Sequence, residues 1–216
     1  VTSSLTGMRF ALSLLLALAA AWPASAQGVA GRFDYYVLSL SWSPSWCRSE
    51  GDPGDDQCRP GRKKAFVVHG LWPQNMRGFP SDCPTHLPGP ERRDTREISD
   101  IMGSSGLAWY QWRKHGRCSG LSARAYFDTT RRAFDSIAMP EVLEELPRDV
   151  TLAARVIEDA FIELNPALHR DGITVTCRDR ALQEVRICLT RDLEPRRCEP
   201  DVRRDCSGNF LVPAPR

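Results

Sequence analysis

The chain has 216 residues, 42% of them hydrophobic, which is enough for one substantial domain with a sizeable core and too little for two full ones. A formal charge of +2 excludes binding of nucleic acid by bulk electrostatics, so an anionic substrate would need a local cluster to hold it. The basic residues are almost all arginine, with lysine only at Lys63, Lys64 and Lys114, a bias without functional weight of its own.

Residues 1–7 read as an upstream extension. Met8-Arg9 then leads into Phe10–Ala21, an apolar run too short to span a bilayer, and Ala24-Ser25-Ala26 has the small-x-small pattern of a signal-peptidase site. The expectation is therefore an extension and cleaved secretory signal over 1–26, and a single exported domain over 27–216. No later segment is apolar for long enough to anchor the chain in a membrane. Phe33–Trp42, rich in aromatic and aliphatic residues between Gly31 and Pro44, predicts a buried strand that pairs with Ala65–Leu71. Between them, Pro44–Arg62 has the proline, glycine and aspartate content of a surface loop, stapled by a local Cys47–Cys58 bridge. In Phe66–Asn75, FVVHGLWPQN, an apolar run is expected to deliver His69 into a rigid Gly-Leu-Trp-Pro turn. Gln74–Pro90, with four prolines from position 80 on, cannot be a helix but can lie along a cleft.

Helical signals begin at Glu91. Glu91–Met102 is an amphipathic candidate ended by Gly103, and Ser104-Ser105-Gly106 caps a helix over Leu107–His115. Ser122–Ile137 and Thr151–Leu164 follow, with apolar residues largely at helical spacing. Ile173–Cys177 alternates as a strand and Leu182–Leu189 is its expected hairpin partner. The proline-rich tail carries a last short strand at Asn209–Val212. Eight cysteines stand at 47, 58, 83, 118, 177, 188, 198 and 206; none has the two-to-four-residue spacing of zinc ligands, and in an exported chain four disulfides is the simpler reading.

Chemistry concentrates in two histidine segments. On a helix turning about 100° per residue, Gln111, Lys114 and His115 share one face, with Trp109 and Trp112 expected on the buried side. Trp72 beside His69 offers a flat apolar surface on which a base can stack. Two imidazoles that titrate near neutrality, with a lysine beside them, can run a proton-in, proton-out displacement at phosphorus without a metal or other cofactor. His86 and His169 have no such context and read as surface residues. Arg131-Arg132, Arg196-Arg197 and Arg203-Arg204 read as solvated faces.

His69-Gly70-Leu71-Trp72-Pro73, and Trp112 with Lys114-His115-Gly116 and Cys118, resemble the two active-site signatures of the ribonuclease T2 family. FDYYVLSLSWSPSWC is similar to that family's opening strand, and the likeness runs through essentially the whole mature chain. It implies an α+β fold with a central antiparallel β-sheet flanked by α-helices, disulfide-stapled. It also implies metal-independent cleavage of single-stranded RNA through a 2′,3′-cyclic phosphate. His115 would be the general base on the 2′-hydroxyl, His69 the general acid on the 5′-oxygen, Lys114 the stabiliser of the phosphorane and Trp72 a base platform. The resemblance implies the pairs Cys83–Cys118 and Cys177–Cys206, the latter enclosing Cys188–Cys198. A bacterial periplasmic or secreted enzyme, monomeric by default, is the expectation.

Two departures stand out. Tyr110 and Gln111 occupy positions where the family commonly has histidine and glutamate, so the glutamine keeps a carbonyl and loses a charge. Gln74 replaces an acidic residue that some members use to read a base, which leaves base preference open. Two other readings stand beside this one: a ribonuclease-like protein that binds RNA with little catalysis, suggested by Gln111, and a metal-dependent phosphodiesterase, which lacks an HExxH or paired-carboxylate cluster to support it.

Overall fold

The computed structural model describes residues 28–216, so the expected extension, signal and cleavage site lie outside the described residues. In chain order the elements are β1 (Tyr35–Trp42), α1 (Ser43–Ser49), β2 (Phe66–Gln74), α2 (Arg92–Glu97), α3 (Ser99–Met102), α4 (Ser105–Lys114), α5 (Ala123–Asp135), α6 (Glu141–Glu144), β3 (Val150–Ala153), α7 (Ala154–Leu164), β4 (Ile173–Arg178), β5 (Ala181–Leu189) and β6 (Asn209–Val212). β1 lies between β2 and β5, antiparallel to both, and β5 forms an antiparallel hairpin with β4. β6 meets β5 through one parallel pair, Ala181 with Leu211, and carries β3 antiparallel on its other side. This is the expected α+β architecture, with a sheet that is antiparallel apart from that single contact.

Side-chain alternation divides the sheet into a dry face and a working face. Tyr36, Leu38, Leu40 and Trp42 of β1 join Phe66, Val68 and Leu71 of β2 and Val185, Ile187 and Leu189 of β5 in one core, closed over by Met102, Trp112, Tyr126 and Phe161 from the helices. On the opposite face the register sets Ser39 against Arg186 and Ser41 against Glu184, with Val37 between Trp72 and Cys188. Polar side chains in the middle of a sheet that is otherwise apolar mark the face on which chemistry is built.

Four expectations change. The segment Gly70–Pro73 is strand, not turn: β2 runs through Gln74, and Pro73 is tolerated because β2 is an edge strand whose free side needs no N–H donor. The loop expected at Pro44–Arg62 opens with helix α1, which accepts Pro44 in its first turn, where an N–H would have had no partner. The helix expected over Glu91–Met102 is broken at Ile98, where the Ser99 hydroxyl donates back to the Arg96 carbonyl (2.7 Å) and competes with the helical ladder. The first three residues of the expected Thr151–Leu164 helix are strand instead, because β6 offers Thr151, Leu152 and Ala153 a pairing edge. Ser104 and Ser122 cap α4 and α5 as their positions suggested. All eight cysteines pair as expected: Cys47–Cys58, Cys83–Cys118, Cys177–Cys206 and Cys188–Cys198. Among the described residues no helix is long and apolar enough to cross a membrane.

Candidate active site

His69 owes its position to an irregularity in the β1–β2 ladder. Ser39 pairs with Gly70 and the next residue, Leu40, pairs with Val68, so His69 is the extra residue of a β-bulge. A bulge leaves its residue unpaired and re-aims the side chain, here away from the apolar core that Val68 and Leu71 enter. Its Nδ1 lies 2.5 Å from Oε1 of Glu184, a carboxylate buried on the working face with 3% of its side chain exposed. An ionised carboxylate only accepts, so Nδ1 carries the proton and Nε2 is left for a substrate. Arg186 donates from Nε and one guanidinium nitrogen to the other oxygen of Glu184, at 2.8 and 2.6 Å. Burial resists the ionisation of Glu184, but the hydrogen bond from His69 and the charge of Arg186 outweigh it and hold the carboxyl at about 2.

The opposing wall is the C-terminal end of α4. Ala108, Gln111, Trp112 and His115 form its buried stripe, at the i, i+3, i+4, i+7 spacing of one helix face. Trp109 is exposed, with Arg113 over its ring, which corrects the expectation that both tryptophans would be buried while the polar trio projected. The helix is oriented by what it must reach. The Gln111 carbonyl accepts a hydrogen bond from the Trp72 indole at 2.8 Å, across the cleft from α4 to β2. Gly70 makes this contact possible: a Cβ there would fall 2.4 Å from Trp72 Nε1 and 2.6 Å from Gln111 Oε1. Gly116 does the same for the helix end, where a Cβ would strike Trp112 and Tyr126 at under 3 Å.

Trp72 is the hub. Its ring centroid lies 5.2 Å from that of His69 and 5.4 Å from that of His115, and the Arg186 guanidinium stands over it at 5.3 Å. The two histidines are thus brought to one indole from different elements. His115 is 7% exposed, and its Nδ1 is buried with no partner among the described residues. Burial first, then the nearby charges of Lys114 and His69, lower its pKa to about 4, so the ring is neutral near pH 7. Lys114 is half-buried and its Nζ donates to the Tyr110 hydroxyl at 3.3 Å, placing Tyr110 on the outer rim of the site. The proline-rich segment lies along the cleft as expected. Phe79 packs against His115, the Asp82 N–H donates to the Lys114 carbonyl, and Cys83–Cys118 ties the segment to the turn after His115. Gln74 is placed apart from this group, buried at the far end of β2 opposite Tyr35. His86 and His169 are exposed. Beyond His69, a cleft of about 500 Å³ opens between Ser41, Trp46, Gln57, Leu107 and Glu184. No group of three or more His, Cys, Asp or Glu side chains among the described residues is placed to hold a metal ion.

Glu184 and Arg186 were not legible as site residues. The alternation of β5 signals that they leave the core, since an acid and a base interrupt an apolar strand at consecutive same-face positions. Nothing in it says that β5 lies beside β1 and reaches His69.

The model of the ribonuclease T2 family matches residues 33–198. A ribonuclease of Aeromonas hydrophila is 44% identical over 193 residues, covering 86% of this chain and 86% of that protein. Ribonuclease I of Escherichia coli K12 is 27% identical over 229 residues, covering 86% of this chain and 82% of the relative. Among solved structures, an RNase-related protein from Calystegia sepium superposes with a TM-score of 0.69 at 21% identity, over 86% of this chain and 99% of that one, a likeness of fold.

Proposed function

The chain belongs to the ribonuclease T2 family and is an endoribonuclease, and on that footing we propose that it cleaves single-stranded RNA by a metal-independent, two-histidine transphosphorylation. The observation that carries the mechanism is the packing of His69 and His115 against one indole. His115, neutral near pH 7, takes the 2′-hydroxyl proton; with Nδ1 shut away, Nε2 is the nitrogen that meets the substrate. The 2′-oxygen attacks phosphorus, the bond to the 5′-oxygen breaks, and His69 in its imidazolium form gives its Nε2 proton to that leaving oxygen while Glu184 holds Nδ1–H. The products are a 2′,3′-cyclic phosphate and a free 5′-hydroxyl; water then opens the ring with the two histidines exchanging roles. Lys114 faces the charge that develops on the phosphorane oxygens. Because His69 serves the leaving oxygen, the cleft beside it receives the nucleotide on that side, and the open part of Trp72 supports the base on the other. Gln111 sets the indole rather than acting on the phosphate. The four bridges and the leader pattern support export to the periplasm or medium, and a monomer suffices for the site.

The deciding experiment is incubation of the mature protein with a defined oligoribonucleotide and its deoxy counterpart in excess chelator, with analysis of product ends. Cyclic-phosphate ends on RNA alone are expected, with His69→Ala and His115→Ala each reducing turnover by about 10²–10⁴-fold. Cleavage of the DNA would overturn 2′-hydroxyl attack. A second reading, RNA binding with little turnover, is favoured by the commitment of the Gln111 carbonyl to Trp72. Full RNA affinity without cyclic-phosphate product would establish it.

A further inference from the structure

The basic side chains of this protein fall into two classes. About half of the arginines among the described residues are ion-paired, among them Arg131 with Asp100, Arg196 with Glu199, Arg197 with Asp171, and Arg170 with Glu158, and the rest are not. Arg180 and Arg204 are exposed and have no ion-pair partner among the described residues, and both line one cavity of about 650 Å³ together with Arg186, Thr176, Ser207 and Asn209. That cavity adjoins the proposed active site, since its wall residue Arg186 is the one that grips Glu184 and covers Trp72. Thr174 and Thr176 of β4 continue the working face beneath it, opposite Arg186 and Glu184 in the ladder.

We propose that this cavity is a distal anion subsite, which binds a backbone phosphodiester of single-stranded RNA beyond the two nucleotides that flank the scissile bond. The inference rests on the ribonuclease reading above and extends it to substrate length. Its walls are held by the fold. Arg180 sits in the two-residue turn between β4 and β5, where Asp179 and Arg180 both adopt positive φ (50° and 61°), and its carbonyl accepts from Leu211 N–H at 2.9 Å. The Arg204 N–H donates to Thr174 Oγ1, and Cys177–Cys206 with the Cys206 N–H to Val175 carbonyl bond pins the facing loop. Asp205, the acid in the lining, accepts at Oδ1 from the Thr174 hydroxyl at 2.5 Å and the Val175 N–H at 2.9 Å, and forms no ion pair with Arg180 or Arg204. Two unpaired arginines on rigid supports, one residue away from the active-site network, suit a phosphate that approaches along the chain: guanidinium forks match its oxygens.

The test is Arg180→Ala/Arg204→Ala, two exposed positions outside the catalytic group. For the double variant, kcat/KM on a diribonucleotide should match the parent, while kcat/KM on a single-stranded oligomer of about eight nucleotides should fall roughly tenfold. The slope of log kcat/KM against log salt should flatten by about 0.7 for each phosphate that the variant no longer neutralises. A deoxyribonucleotide oligomer of equal length supplies a binding readout that needs no cleavage: it should bind the parent more tightly than the variant. Equal loss on both substrates, or no loss on either together with unchanged deoxy-oligomer binding, would overturn the subsite. If the parent cleaved no RNA at all, the ribonuclease mechanism would fail, and the deoxy-oligomer titration would still decide the subsite.

Discussion

Replacing Glu184 by glutamine keeps the side-chain volume and removes one charge and one acceptor. Glu184 uses Oε1 for His69 and Oε2 for Arg186 in a site with 3% side-chain exposure. Glutamine has a single carbonyl oxygen, so either His69 Nδ1 or the Arg186 fork must face an NH₂ donor. The gap between a carboxyl at about 2 and its ordinary 4.5 corresponds to roughly 3 kcal/mol of folding stability. The folded-state value is the lower one, so this contribution is complete above pH 4.5 and is lost as pH falls through about 2. For a chain of this size each kcal/mol moves Tm by about 2–4 °C, so Glu184→Gln should lower Tm by about 6–12 °C at pH 7 and by progressively less below pH 4. A hydrogen bond to a charged group contributes about 1.5–3 kcal/mol, so kcat should fall by about 10- to 150-fold if its whole effect is felt in the transition state. KM should change little. Calorimetry across pH and steady-state kinetics on an oligoribonucleotide report both effects. Parental kcat together with parental Tm at pH 7 would refute the assignment of Glu184 as the residue that positions His69.

Gln111→Glu places an anion one helical turn from His115, whose pKa burial, Lys114 and His69 hold at about 4; the acid limb of kcat/KM should move to higher pH and turnover should rise, and no change or a loss would sink the idea that this position limits the rate. Gly70→Ala drives a methyl group into the Trp72–Gln111 hydrogen bond; it should destabilise by about 1–3 kcal/mol, shift the indole fluorescence and lower kcat/KM, whereas a neutral outcome would show that the indole is placed by other contacts. Cys83→Ser/Cys118→Ser should cost about 3–4 kcal/mol in urea denaturation and lower kcat as the segment bearing Phe79 and Asp82 is released; an unchanged kcat would mean that this segment is held at His115 without the bridge.

Local chemistry made much of this protein readable. Apolar runs announced β1, β2 and the β4–β5 hairpin, serines at 104 and 122 announced the starts of α4 and α5, and the two histidine segments stood out because neither pattern needs imidazole for packing. Cysteine number and context implied four bridges. These signals are carried by residues near one another in the chain. The bulge at His69, the inward turn of Gln111 and the strand at Val150–Ala153 are different in kind, because each depends on a partner supplied from elsewhere: β1 against β2, the indole of Trp72, and the edge of β6. So too with Glu184. It lies 115 residues from His69 in sequence and 2.5 Å from it in space, on a strand whose alternation says only that the side chain leaves the core. The sequence by itself determined which groups could do the chemistry and on which elements they stand. Only the tertiary structure decided which of them meet, because strand order and register are set by burial of the whole sheet, and no short stretch of chain encodes that sum.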